Sequence, residues 1–316
     1  MGTALPRVGI ALGDPAGVGP EIALKAALDE RVTRICRPVL FGDPGALEAH
    51  AALCGIAWRK ETVEMVALEH FKAERLAIGE VRAAHGRAAV DAARAAIAAA
   101  LAGEVDAVVA APQTELAIRQ AGIEFDGYPS FVARCTGVAP EDAFLMLCFD
   151  ATRIVHATLH VSLRRAIELV TPARLGTALR ATHATLERLG LRSPRIAVAG
   201  LNPHAGESGL FGTEEAAIIG PAIEAARRDG IAADGPFGAD TLFQRKGYDA
   251  FIVMFHDQGH IAAKLQAPNR TASLTIGTPV LFSSVAHGSA LDIAGKGRAS
   301  AEAMVEAVSR LVGAGR

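Results

Sequence analysis

Short apolar runs alternate with longer amphipathic or Ala-rich runs along the chain. Residues 8–12, 38–41, 105–111, 145–147, 154–160, 195–199 and 248–255 read as strands, several of them continuous apolar runs of the kind buried on both faces. Between them, residues 20–28, 86–101, 172–189, 214–228 and 301–312 have helical character. Pro20 opens the first of these helices with Glu21 near its positive end, and Ser300 is placed to cap the last. Gly103 and Gly190 follow two of the others as stop signals. This alternation predicts a three-layer α/β fold with mostly parallel or mixed strands, organised as two lobes around a central cleft. Open sheets of this kind bind ligands beyond the carboxyl ends of their strands, where the chain's most unusual loops fall.

Composition narrows the class. The 316 residues are 51% hydrophobic and 21% charged, with a formal net charge of -2 and both signs interspersed. No basic stripe marks a nucleic-acid partner. No segment reaches the ~18 uninterrupted apolar residues of a membrane span, and the N-terminus turns polar before a signal-type run develops. Cys36, Cys54, Cys135 and Cys148 form no CxxC pair, so reduced thiols in a cytoplasmic protein are expected.

The candidate chemistry lies in loops. His160 stands in HATLHVSLR, His204 in LNPHAGESG and His256 in MFHDQGHIAAK. Three neutral imidazoles with open positions make a catalytic divalent-metal site. Pro203 and Gly206 flank His204 and would aim its side chain. His256 and His260 have the i,i+4 spacing of helical ligands, but Gly259 is expected to interrupt a helix, so His256 is the expected ligand, with Asp257 beside it. His260 is read as a pocket or structural residue. His156 and His160 share one face of a strand, so either could point inward. GDPAGVGPEI (13–22) matches neither a dinucleotide fingerprint nor a P-loop. It is either a tight βα turn or, the favoured reading, a ligand-facing loop bracketed by Asp14 and Glu21. Lys264, in an apolar stretch, either snorkels to solvent or serves an anionic substrate. HGSALDIAGKG (287–297) suits a loop wrapped round a nucleotide, or a surface Ω-loop.

Taken together, GDPAGVGPEI, APQTELAIRQAGI, LNPHAGESGLFG, GPFGADTLF, YDAFIVMFHDQGH and HGSALDIAGKG resemble the 4-hydroxythreonine-4-phosphate dehydrogenase (PdxA-type) family over essentially the whole chain. The resemblance implies an isocitrate/isopropylmalate dehydrogenase-like fold. It implies a cofactor-side lobe of residues 1–125 with 275–316, and a metal, substrate and dimerisation lobe of 126–274. It further implies a homodimer with its site between subunits, NAD as cofactor, and a divalent metal, often zinc, on His160, His204 and His256. Lys264 becomes the substrate lysine, and His287, Gly288, Asp292 and Gly295 the cofactor loop.

The departures matter as much. Members acting on the phosphorylated amino acid carry Gly-His-Thr-Glu where this chain has Gly127-Tyr128-Pro129-Ser130, an Asn where it has Ser273, and a phosphate-gripping Arg where it has Phe282. Losing such charge-assisted bonds should forfeit ~1.5–3 kcal/mol each. The Gly-Tyr-Pro-Ser and His-Asp-Gln-Gly-His runs resemble the cis-dihydrodiol dicarboxylate dehydrogenases of terephthalate degradation. On that resemblance the substrate is 1,2-dihydroxy-3,5-cyclohexadiene-1,4-dicarboxylate, oxidised and decarboxylated to protocatechuate. Tyr128, His260 and Phe282 would shape a ring pocket, Arg270 and Ser130 would hold the remote carboxylate, and Lys264, Asp257 and Asp240 would serve catalysis. The rivals are 4-hydroxythreonine-4-phosphate dehydrogenase itself, an erythronate-phosphate-type enzyme, a metallohydrolase and a non-catalytic binding module.

Overall fold

The computed structural model describes residues 4–59, 61–71, 76–267 and 271–313. In chain order the first elements are β1 (Arg7–Ala11), α1 (Gly19–Leu28), α2 (Glu30–Thr33), β2 (Arg37–Gly42), α3 (Pro44–Leu53), β3 (Glu64–Ala67), α4 (Ala83–Leu101), β4 (Ala107–Ala110), α5 (Glu115–Gln120) and α6 (Tyr128–Thr136). There follow β5 (Phe144–Phe149), β6 (Thr152–His156), α7 (Leu163–Leu169), α8 (Pro172–Arg188), β7 (Arg195–Ala199), α9 (Gly220–Arg228), β8 (Ala232–Phe237), β9 (Ala250–Val253), α10 (His256–Gln266) and β10 (Ala272–Ile276). The chain closes with β11 (Phe282–Val285) and α11 (Glu302–Leu311).

The chain divides into two compact units, residues 1–137 with 279–316 and residues 138–278. The segment 126–137, expected in the second lobe, belongs to the first unit. The reason is α6, whose Phe131 and Val132 are buried in the same core as Val90, Ile97 and Phe282.

In the first unit the strand order is β3-β2-β1-β4-β11, all parallel. Helix α4 contacts both α5 and α6, and α1, α2, α3 and α11 form a second group, so the sheet is covered on both faces. Ala89, Ala92, Ala93 and Ala96 of α4 are essentially solvent-free, and their small side chains let that helix lie close on the strands. In the second unit the order is β10-β5-β6-β9-β7-β8. There β10, β5 and β6 pair antiparallel, whereas β6, β9, β7 and β8 run parallel. Thr171 accepts a hydrogen bond from the Arg174 N–H at 3.2 Å, and Pro172 follows it, which starts α8 where the sequence predicts.

Two expectations fail locally. The strand read over 154–160 stops at His156, and His160 lies in a bend beyond it. Gly259 does not break a helix: α10 runs through it, because the missing Cβ lets the helix approach the sheet. A Cβ there would meet His156 Nε2 at 2.4 Å and Ile154 Cγ2 at 2.8 Å. Among the described residues no helix is long and apolar enough to cross a membrane, and Cys36, Cys54, Cys135 and Cys148 form no disulfide.

Candidate functional site: histidines at the ends of three parallel strands

The register of the second unit gathers the candidate residues. His156 pairs with Val253 across β6 and β9, and Val198 of β7 pairs with Ile252. The chain therefore leaves three adjacent parallel strands by their carboxyl ends, towards His160, His256 and His204 in turn. Cross-links hold these exits together. Thr158 donates through Oγ1 to Met254 O at 2.8 Å. Gln258 accepts from the Met254 N–H at 2.8 Å and donates to Gly200 O at 3.2 Å. The sequence gives no periodic signal for Gln258; its role depends on where Gly200 lies.

Four imidazoles assemble on this edge. His256 and His260, one turn apart on α10, are stacked with ring centroids 3.8 Å apart and planes at 8°. The His160 and His256 centroids are 5.7 Å apart, and both residues line a cavity of about 440 Å³ with Phe255, Asp257, Ser162 and Leu163. His256 Nδ1 lies 2.6 Å from Asp257 Oδ1; a carboxylate accepts, so this bond leaves His256 Nε2 as the lone-pair nitrogen. His156 is 1% exposed, and His260 Nδ1 lies 3.0 Å from its Nε2. Burial, with the neighbouring rings adding to it, pushes His156 down to about 3 and His260 down to about 4. Lys264, at the next i+4 position on α10, is exposed.

His204 is not brought into this group. It sits in Pro203–Gly209, where His204, Ala205, Gly206, Glu207 and Ser208 all have left-handed backbone angles. Each non-glycine residue there costs ~1–2 kcal/mol. Glu215 compensates: its buried carboxylate accepts from the Leu201 and Asn202 N–H groups, both at 2.8 Å, and from Asn202 Nδ2 at 3.0 Å. Burial alone would raise the Glu215 carboxyl, but the Asn202 and Leu201 hydrogen bonds outweigh it and hold the group below the usual range. His204 Nδ1 donates to Glu207 Oε2 at 3.2 Å, so it too presents Nε2. Asp240 is exposed on the loop after β8, beside Gly238, where a Cβ would lie 3.7 Å from His204 Cα. Among the described residues no three His, Cys, Asp or Glu side chains converge to ligand geometry. The donor chemistry nevertheless fits a divalent cation, because His204 and His256 each have Nδ1 tied to a carboxylate and Nε2 open.

The first unit holds the other expected residues, and there the reading changes. Phe282 is 1% exposed, on β11 beside Val108, with its ring 4.9 Å from that of Tyr128. Tyr128 in turn packs edge-on against Phe125 and reaches Ala111 O at 3.3 Å, and its burial raises the phenol's pKa. Phe282, expected to wall a ring pocket, is thus enclosed among aromatic side chains and has no surface to offer a substrate. The Ser130 hydroxyl donates to Asp126. Arg270 lies outside the described residues. Asp14 and Glu21, read as facing a ligand, are both 0% exposed. Asp14 accepts from the Ala16 N–H at 2.9 Å and from the Thr114 hydroxyl, and Glu21 accepts from Lys25 Nζ at 2.6 Å and the Ala299 N–H at 3.0 Å. Glu21 anchors the segment 287–299 directly, and Asp14 does so through Thr114, whose hydroxyl also lies 3.0 Å from Ser289 Oγ; the Ser289 carbonyl accepts from the Val18 N–H at 2.8 Å. In that segment His287, Gly288 and Asp292 are exposed, and Gly295 adopts φ 71° against Leu53 and Ile78.

Parallel strands flanked by helices, with histidine–carboxylate pairs just past their carboxyl ends, define an α/β enzyme. Comparison with known proteins narrows this. Residues 34–311 match the family model "Pyridoxal phosphate biosynthetic protein PdxA", and the chain belongs to that family. It is 44% identical over 309 residues to the 1,2-dihydroxy-3,5-cyclohexadiene-1,4-dicarboxylate dehydrogenase of Comamonas sp., covering 96% of each chain. A terephthalate 1,2-cis-dihydrodiol dehydrogenase from Burkholderia xenovorans LB400 superposes with TM-score 0.75 at 42% identity over 98% of each chain. A 4-hydroxythreonine-4-phosphate dehydrogenase from Burkholderia phymatum gives TM-score 0.85 at 34% identity, again over 98% of each. The expected isocitrate/isopropylmalate dehydrogenase-like fold is the fold observed, and the protein is an oxidoreductase acting on CH–OH groups.

Proposed function

We propose that the protein catalyses NAD-linked oxidation and decarboxylation of the cis-dihydrodiol dicarboxylate derived from terephthalate, giving protocatechuate and carbon dioxide. The observation that carries the site assignment is the His256–Asp257 pair beside His160 at the mouth of one cavity. The substrate assignment draws on the 44% identical relative of that name. His160, His204 and His256 would hold a divalent cation, with zinc the expected one, and that cation would supply Lewis-acid polarisation of the substrate oxygens. Asp257 and Glu207 fix the ring orientation and tautomer of His256 and His204. Lys264, on the same face of α10 as His256 and His260, provides a cation for a substrate carboxylate. Asp240 is the candidate proton carrier beside the His204 loop. The segment 287–297 binds NAD, with His287, Gly288, Asp292 and Gly295 as its elements.

The chemistry balances without a further co-reactant. The carbinol C–H leaves as hydride to NAD and its O–H as a proton, which yields a ketone β to the neighbouring carboxylate. The bond to the carboxylate then breaks, carbon dioxide leaves, its bonding pair stays on the ring as an enolate, and uptake of one proton gives the aromatic catechol. A cytoplasmic homodimer is part of this reading. Exposed apolar i,i+4 pairs support it: Leu163 and Ile167 on α7, and Ile261 and Leu265 on α10.

The second reading, 4-hydroxythreonine-4-phosphate oxidation, is favoured by the higher TM-score to that enzyme. Against it stands Phe282, an enclosed phenyl ring where the resemblance would require a phosphate-binding arginine. NADH formation by zinc-supplemented protein, assayed in parallel on the diol and on 4-hydroxythreonine 4-phosphate, decides between them. Turnover of the diol alone, lost in His204→Ala, is expected. Turnover of the phosphate alone overturns the assignment.

A further inference from the structure

Two of the four clustered imidazoles are not used by the function proposed above, and one of them, His156, is enclosed between the sheet and α10. A polar ring in such a place needs a reason, because burial costs it its hydration. Its hydrogen bonds run in one direction. His156 Nδ1 lies 3.4 Å from Leu145 O, and a carbonyl can only accept, so Nδ1 carries the proton and Nε2 the lone pair. His260 Nδ1 lies 3.0 Å from that lone pair and 3.3 Å from His256 O, again two acceptors, so the His260 proton is also on Nδ1. Gly259 makes this approach possible, because a Cβ there would lie only 2.4 Å from His156 Nε2. His260, held in this way, stacks flat on His256.

The geometry points to His156 as a positioning residue: through one fixed tautomer of His260, it sets the plane of the His256 ring from beneath the sheet edge. Asp257 fixes that ring from one side by a hydrogen bond, and the relay fixes it from the other by stacking. The relay needs an acceptor at residue 156, not a charge, so Gln can replace His there and Phe cannot. The inference rests on the reading of His256 as a metal ligand.

The test uses full-length protein labelled with ¹⁵N-histidine. Long-range ¹H–¹⁵N spectra report the tautomer of each ring, with the His260 signals assigned by their loss in His260→Phe. Zinc affinity is measured by competition with a chromophoric chelator. Wild type and His156→Gln are expected to show His260 as the Nδ1–H form, with zinc affinities within about threefold of each other. His156→Phe should show tautomer averaging at His260 and bind zinc roughly tenfold or more weakly, as when a ligand's outer partner is lost. An Nε2–H form of His260 in wild type overturns the relay even if no variant folds, as does unchanged tautomer and zinc affinity in His156→Phe. If wild type takes up no zinc, the metal reading fails by itself, and the tautomer pattern still decides the relay.

Discussion

The turn after β1 and the loop after β7 are built from similar residues. Both follow a parallel strand, both are rich in Gly and Pro, and both carry acidic side chains. They use those acids differently. In the first turn Asp14 and Glu21 are both fully enclosed, and each accepts from internal donors, Glu21 through one oxygen only. In the loop after β7 one acid, Glu215, takes the bracing role, while Glu207 and His204 remain at the surface. A carboxylate that collects several backbone N–H groups is holding the chain; the reactive group is the one such a brace leaves uncommitted. The first turn is a clamp on the segment 287–299, and the loop after β7 is a platform for a histidine.

The largest effect that would break this contrast is in the first unit. Phe282→Ala should destabilise the protein by about 3–5 kcal/mol in urea unfolding, as expected for a core aromatic. A raised KM for substrate with unchanged stability would instead make Phe282 a pocket wall. In the second unit His256→Ala should lower kcat by about 10²–10³-fold, on the order of 3–4 kcal/mol, and leave the unfolding midpoint near that of wild type. A large drop in the midpoint would class His256 with the braces. Glu215→Gln removes one charged acceptor from several buried N–H groups and should cost about 2 kcal/mol. It should also weaken zinc binding through His204, and a stability loss with unaltered zinc binding would separate the loop from the metal.

The last expected effect is on pH dependence. The unfolded imidazole titrates near 6.5, whereas desolvation holds His156 neutral down to about 3. Between those values the unfolded chain binds the extra proton. The stability is therefore complete above pH 6.5 and falls as the pH drops, by up to about 1.4 kcal/mol per unit. Urea unfolding at pH 7 and pH 5 should show a flatter slope for His156→Phe than for wild type; equal slopes would mean that His156 is already protonated in the fold.

Much of the frame is legible in local pattern. Runs of apolar residues mark β1, β4, β7 and β9, and Pro20 and Thr171–Pro172 mark helix starts, because backbone geometry and capping act over a few residues. The short α6 and the course of α10 are not legible. In each case a signal for a turn or break, Gly127-Tyr128-Pro129 or Gly259, has its meaning settled by distant partners. Which histidines meet is equally non-local: His156 faces His260 across 104 residues, and no periodicity in the sequence records that.

The sequence by itself therefore determined the α/β class, the family and the short list of reactive side chains, since residue chemistry and local propensity are carried in the chain. The tertiary structure alone decided that Phe282, Asp14 and Glu21 are enclosed, that His160 and His256 share a cavity, and that His156 meets His260. Enclosure and contact depend on strand register and on how closely helices can lie on a sheet, and those follow from residues far apart in the chain.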